Sequence, residues 1–201
     1  MTVQRRFVRP TVLAVTAAVA ALTLTACGGD GGSSKAGAGS TASSGGHNAA
    51  DVSFSQEMIQ HHRQAVEMAG LAAGHASSAQ VKSLASKIKG AQAPEIRTMS
   101  GWLNSWGEQV PEDMSGMGHD MSSSTPGMMS AADMGKLEKA SGAAFDTLFL
   151  TMMVDHHKGA VAMARSEKAD GAYDPAVRLA TDVITTQSAE IKQMGTLLGK
   201  N

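Results

Sequence analysis

The sequence predicts an all-α domain: an antiparallel four-helix bundle built from two copies of one helical hairpin. Three observations carry this. The first is composition. Only 3% of the 201 residues are aromatic, and 42% are hydrophobic, drawn mainly from Ala, Met and Leu. Such residues favour helices, whereas a sandwich or barrel draws on Val, Ile, Tyr, Phe and Trp. The second is repetition. Residues 51–103 laid against 146–198, an offset of 95 with no gap, are identical at sixteen of 53 positions. The third is periodicity. Phe54, Met58, His61, Ala65, Met68 and Ala72 recur at steps of three and four, which places them on one face of a helix. A hairpin of this size cannot bury its own stripe, so two copies must share a core.

Residues 1–26 read as an export signal. Arg5, Arg6 and Arg9 precede an apolar run over residues 11–25 that is too short to span a membrane. The run ends in Leu24-Thr25-Ala26-Cys27, which resembles the lipobox of bacterial lipoproteins. That resemblance implies cleavage before Cys27, lipid on its sulfur and amine, and an extracytoplasmic protein anchored to the cell membrane. Cys27 is the only cysteine, so no intrachain disulfide can form and a metal site must use His, Met, carboxylate or amide groups. Without the signal, 14 basic side chains face 18 acidic ones, which gives no basic face for nucleic acid. Residues 28–50, nearly all Gly, Ser and Ala, read as a flexible tether reaching roughly 25–30 Å. His47 falls in it as an incidental residue.

The folded domain is expected over 51–201: a hairpin over 51–106, a Met-rich linker over 107–130 and a second hairpin over 131–201. Helices are predicted at about 51–74, 79–106, 142–168 and 175–199. A short extra helix over 131–140 should end at Ser141-Gly142. The first turn falls at Gly74 to Ser78, with Ser77 or Ser78 as N-cap. The second falls at Ala169 to Asp174, where Asp174 reads as the cap and Pro175 as the first helical residue. The second helix carries Val81, Leu84, Ile88, Gln92, Glu95, Met99, Leu103 and Trp106 on one broad face. Pro94 should kink or break it. The linker's Gly, Ser and Pro read as loosely ordered.

The chemistry concentrates in Met-x-x-His-His, at Met58/His61/His62 and again at Met153/His156/His157. A single histidine on an apolar face is usually a hydrogen-bonded core residue. A pair repeated at matched positions, each with an in-register Met and Glu, points instead to a metal. Glu95 and Glu190 on the inward faces need partners. They are either His-pairing struts, ligands, or groups that orient an imidazole ligand. Di-iron bundles use Glu-x-x-His, which this chain lacks. Met58 and Met153 stand where that Glu would be, and thioethers shift preference toward soft ions, above all Cu(I) and by analogy Ag(I). In the linker, Met114, Met117, His119 and Met121 place three thioethers and an imidazole within eight residues, an accessory capture site.

The pattern from Asp51 through Phe54, Met58, His61-His62, Ala65 and Met68-Ala69, repeated from Asp146, with Gln92, Glu95-Ile96 and Met99 behind it, resembles the bacterial family known as domain of unknown function 305. The resemblance covers about 51–199. It implies a ferritin-like four-helix bundle in exported proteins, some associated with copper binding and copper tolerance. The expected function is therefore copper buffering or chaperoning by a lipoprotein. His61, His62, His156 and His157 are the leading ligands, with Met58, Met153, Met99 and Met194 next. Iron is the second metal. Two other readings stay open: a ferritin-like redox enzyme, and an interaction module whose His/Glu core is structural. Expected partners are the membrane, through Cys27, and a metal ion; the sequence leaves a homo-oligomer open.

Overall fold

The computed structural model describes residues 46–113 and 125–199. The signal, Cys27 and most of the tether lie outside the described residues, as do Met114, Met117, His119 and Met121. Five helices run in order: α1 (Ala49–His75), α2 (Ala79–Trp106), α3 (Ala131–Lys139), α4 (Gly142–Asp170) and α5 (Asp174–Leu197). The two hairpins are α1–α2 and α4–α5. They meet through α1 and α4, so the His-bearing helices form the central pair and α2 and α5 flank them. The protein is an all-α, ferritin-like antiparallel four-helix bundle, and α3 packs Met134 and Leu137 onto one end of it.

Several ends follow the expected chemistry. Ser78 caps α2 by accepting from the Val81 amide at 3.4 Å, and Gly107 ends it at φ +76, a left-handed cap that glycine adopts without strain. Others differ. α1 begins at Ala49, before the expected start, because Asn48 and Asp51 form a capping box. His47 is no free tail residue; its ring stacks on Trp106 with centroids 4.3 Å apart. Asp174 is the first helical residue of α5 and Tyr173 takes the cap position. Pro94 does not break α2. Both Pro94 and Gly90, whose carbonyl loses its partner, are exposed, so water can take the place of the missing donor.

The linker is more ordered than its composition suggests, at least at its ends. Side chains along one face of α1 lace it down. Gln56 donates to the Gln109 carbonyl at 2.9 Å and Gln60 to Glu112 at 3.0 Å. Arg63 donates to the carbonyls of Pro111 at 2.8 Å and Glu112 at 2.9 Å. These bonds satisfy backbone groups that a Gly/Ser-rich loop would otherwise leave to water.

The duplication also builds a reciprocal clamp. Asp51, near the start of α1, accepts from the amides of Tyr173 at 2.9 Å and Ala172 at 3.2 Å, in the turn of the other hairpin. Its repeat-mate Asp146, near the start of α4, accepts from the amides of Ser78 at 2.9 Å and Ser77 at 3.2 Å and from the Ser77 hydroxyl. Each hairpin thus caps the turn of its neighbour. Burial pushes the Asp51 carboxyl up, but the Asn48 and Tyr173 amides outweigh it and hold the pKa below the ordinary value. Glu167, where the first repeat has Ala72, breaks the symmetry. Burial and then the adjacent Asp51 raise its pKa to about 8.

Asp146→Ala removes one clamp and leaves the Ser77 and Ser78 amides without an acceptor. Urea unfolding should show a loss of about 2 kcal/mol with an unchanged m-value. A loss under about 0.5 kcal/mol, the range of ordinary surface substitutions, would show that the turn does not depend on this contact.

Candidate metal centre

The apolar core is interrupted at mid-length by a polar layer. On one side lies a cluster containing Met68, Leu84, Ile88, Phe145, Phe149, Met153 and Met194. On the other lies a cluster containing Phe54, Met58, Met99, Leu103, Ala160 and Val183. Between them in each of the four bundle helices come the polar residues: His61 and His62 in α1, Gln92 and Glu95 in α2, His156 and His157 in α4, Gln187 and Glu190 in α5. All four histidines have zero exposure.

Adjacent helical residues point about 100° apart, which divides each pair. His61 and His156 turn toward the other hairpin and meet across the molecule's pseudo-twofold, with ring centroids 3.7 Å apart and planes inclined by 36°. His62 and His157 turn toward the second helix of their own hairpin. His62 Nε2 lies 2.7 Å from Glu95 Oε2, and His157 Nε2 lies 2.7 Å from Glu190 Oε2. Glu95 and Glu190 are 23% and 21% exposed, so each carboxylate keeps some hydration while it holds a buried ring. In geometry each glutamate pairs with a histidine of its own hairpin.

The remaining nitrogens decide what the layer can do. In a neutral ring whose Nε2–H faces a carboxylate, Nδ1 carries the lone pair. Nδ1 of His62 and of His157 is buried without a partner, as are Nδ1 of His61 and both nitrogens of His156. His61 Nε2 donates to the Pro126 carbonyl at 3.1 Å. The side-chain oxygens of Gln92 and Gln187, also repeat-mates, are buried and unpartnered too. Each such group costs about 1–3 kcal/mol. A core kept only for packing would fill or satisfy them. Donor atoms of this kind, with a carboxylate on the far ring nitrogen, match what a metal-ligating imidazole requires.

Among the described residues, no group of three or more His, Cys, Asp or Glu converges as a metal cage. Fully buried thioethers flank the histidines on both sides. Met58, Met99, Met153 and Met194 have zero exposure. Met58 and Met153 stand one turn before the histidines, and Met99 and Met194 one turn beyond Glu95 and Glu190, on the same faces. Two features escaped the sequence reading. Gln92, expected on the inward face of the second helix but not as a site residue, and its repeat-mate Gln187 belong to the polar layer. Pro126 reaches His61, and Thr125-Pro126-Gly127 was a readable turn signal.

The family model for the domain of unknown function DUF305 matches residues 51–198. The chain belongs to the DUF305 family. Among solved structures, a DUF305 protein from Streptomyces coelicolor, described as secreted, is 32% identical with a TM-score of 0.68, over 75% of this chain and 93% of its own. A DUF305 fragment from Deinococcus radiodurans is 32% identical with a TM-score of 0.67, over 77% of this chain and 98% of its own. CopM in its Cu(I)-bound form is 33% identical with a TM-score of 0.61, over 73% of this chain and 94% of its own. CopM has also been solved with Cu(II), with Ag and in the apo form. No curated protein matches the chain.

Burial sets the protonation of the inner pair. Loss of hydration, and then the neighbouring His62, lower the His61 pKa to about 3 from 6.5. Burial and then His61 push His156 well below the ordinary value. Both rings of the inner pair therefore stay neutral well below pH 6.5. The unfolded chain does take these protons near pH 6.5. With folded pKa values depressed, the stabilisation is fully present above 6.5 and is lost as pH falls toward the folded values, by up to about 1.4 kcal/mol per pH unit for each ring. Glu167 has the opposite sign. Its folded pKa is raised from 4.5 to about 8, so its contribution is complete below 4.5 and is lost as pH rises toward 8. The melting temperature should peak near pH 6.5. Glu167→Gln should flatten the alkaline side and steepen the fall between about pH 6.5 and 4.5, where Glu167 no longer opposes the histidines, as scanning calorimetry can measure.

Proposed function

We propose that this DUF305 protein is an extracytoplasmic, lipid-anchored metal-binding protein that holds Cu(I), for buffering, chaperoning or copper tolerance. The observation that carries the reading is the symmetric set of buried, unpartnered imidazole nitrogens between two layers of fully buried methionines. His61, His62, His156 and His157 supply the nitrogen donors. Met58, Met99, Met153 and Met194 supply the thioethers that turn the donor set toward a soft monovalent ion. Glu95 and Glu190 act from behind, fixing the rotamer and tautomer of His62 and His157 rather than binding the ion. The copper and silver complexes of CopM, a third identical in sequence, support the choice of ion. Met114, Met117, His119 and Met121 form an accessory capture site, and Cys27 is the lipid attachment point that fixes the protein to the membrane.

Donors preorganised on packed helices should bind more tightly than a Met/His string in a Gly/Ser-rich sequence, since every backbone residue ordered on binding costs about 1–2 kcal/mol. Cu(I) titration of the anaerobic 28–201 fragment should therefore show two phases. Replacing His61, His62, His156 and His157 together by Ala should remove the tight phase in a protein whose circular dichroism is still helical. Replacing Met114, Met117, His119 and Met121 should remove only the weak phase. A tight phase that survives loss of the four histidines would refute the bundle site. Separately, Cys27→Ser should leave the protein unlipidated and released from membranes; a membrane-bound, acylated variant would end the anchor assignment.

A further inference from the structure

The two repeats differ at several positions beside the histidines, and one of these pairs bears on the site. Position 64 of the first repeat is Gln, and its mate at offset 95 is Gly159. Both touch the same piece of chain, residues 125–129. Gln64 Nε2 donates to the Met129 carbonyl at 2.9 Å, and the Met129 amide donates to Gln64 Oε1 at 2.7 Å. On the other side the chain rests directly on α4. A Cβ at Gly159 would stand 2.0 Å from the Pro126 carbonyl oxygen, and one at Gly127 would stand 2.8 Å from the Asp155 carbonyl oxygen. The piece is itself stiff. Pro126 and Gly127, with φ +81 at the glycine, take the two central positions of a tight turn closed from the Met128 amide to the Thr125 carbonyl at 3.3 Å. At the centre of this strap, the Pro126 carbonyl occupies Nε2 of His61.

We infer that residues 125–129 form a lid over the central histidine pair, latched by Gln64 and seated on Gly159, and that it must lift before a soft cation reaches His61. The inference rests on the metal-binding reading above for the identity of the incoming ion. The lid itself is a property of the metal-free protein. The Pro126 carbonyl keeps the Nε2–H of His61 hydrogen-bonded while the lid is shut, and Nδ1 is the nitrogen left for an ion beneath it. The two halves of the duplication have divided the work, since one supplies the polar latch and the other the backbone clearance. Gln64 and Gly159 are thus positioning residues that set access and not ligands.

Two substitutions open the lid from opposite sides. Gln64→Ala removes both latch bonds, and Gly159→Ala pushes a methyl group against Pro126 while favouring the helix it sits in. Neither lies in the apolar layers, and circular dichroism should show the bundle intact in both. The metal-free readout is acylation of His61 by diethyl pyrocarbonate, which attacks neutral imidazole, mapped by peptide mass spectrometry. Labelling of His61 should speed up by roughly ten-fold in each variant, the scale of losing one or two ordinary hydrogen bonds. The association rate of Cu(I) should rise in parallel. His61 labelling unchanged in both variants would overturn the lid. Faster labelling with an unchanged Cu(I) association rate would overturn its role as the gate. If the wild type takes up no Cu(I) while labelling speeds up as expected, the metal-binding reading falls and the lid over His61 stands.

Discussion

The structure depends on one constraint: four imidazoles, with two glutamates and two glutamines, are placed at the middle of a bundle whose interior is otherwise mostly apolar. Burying polar groups there is unfavourable, and the fold answers only in part. Glu95 and Glu190 each take one nitrogen of a histidine at 2.7 Å. Pro126 takes one nitrogen of His61. The rest of the donors stay without partners. Two apolar layers hold the helices in register around this band, and the clamps at Asp51 and Asp146 tie each hairpin to the turn of the other. Stability is drawn from the ends and spent in the middle, which is the distribution expected when a site is kept ready for something else to bind.

Near-twofold symmetry explains how the layer is arranged, and departures from it explain how the layer is served. The repeated His-His pair gives one ring to the partner hairpin and one to its own carboxylate, twice over. Three mismatched positions then differentiate the halves. Gln64 against Gly159 fastens the strap on one side and makes room for it on the other. Glu167 against Ala72 adds a protonated carboxyl beside Asp51, and with it an alkaline sensitivity confined to one end of the bundle. Pro94 against Ala189 sits on the exposed face of α2, where a missing hydrogen bond costs least.

Much of this was legible from the residues. Helical spacing and the offset of 95 fix the two hairpins and bring the His pairs inward, because periodicity reports which side of a helix is buried. Ser78 reads as a cap because its hydroxyl is the right length to reach a free amide. What could not be read is tertiary. Asp51 and Asp146 are matched in sequence, but the amides that donate to them lie in turns more than sixty residues away. His47 looks like tether until Trp106 is brought beneath it. The ends of the linker look loose because their order comes from Gln56, Gln60, Arg63 and Gln64 on α1, not from their own composition. The depression of the His61 and His156 pKa values requires complete burial, which a stripe on a helical wheel suggests but does not measure.

The most direct test of the central claim is nitrogen-15 NMR of the histidine side chains during titration with Ag(I), a stable stand-in for the soft monovalent ion. If the buried layer is the metal centre, Nδ1 of His62 and His157 should shift on coordination while their Nε2 atoms stay protonated against Glu95 and Glu190, and the His61 and His156 rings should respond in the same phase. Silver bound at stoichiometric levels with all four ring spectra unchanged would contradict the account and leave the histidine layer as a structural core.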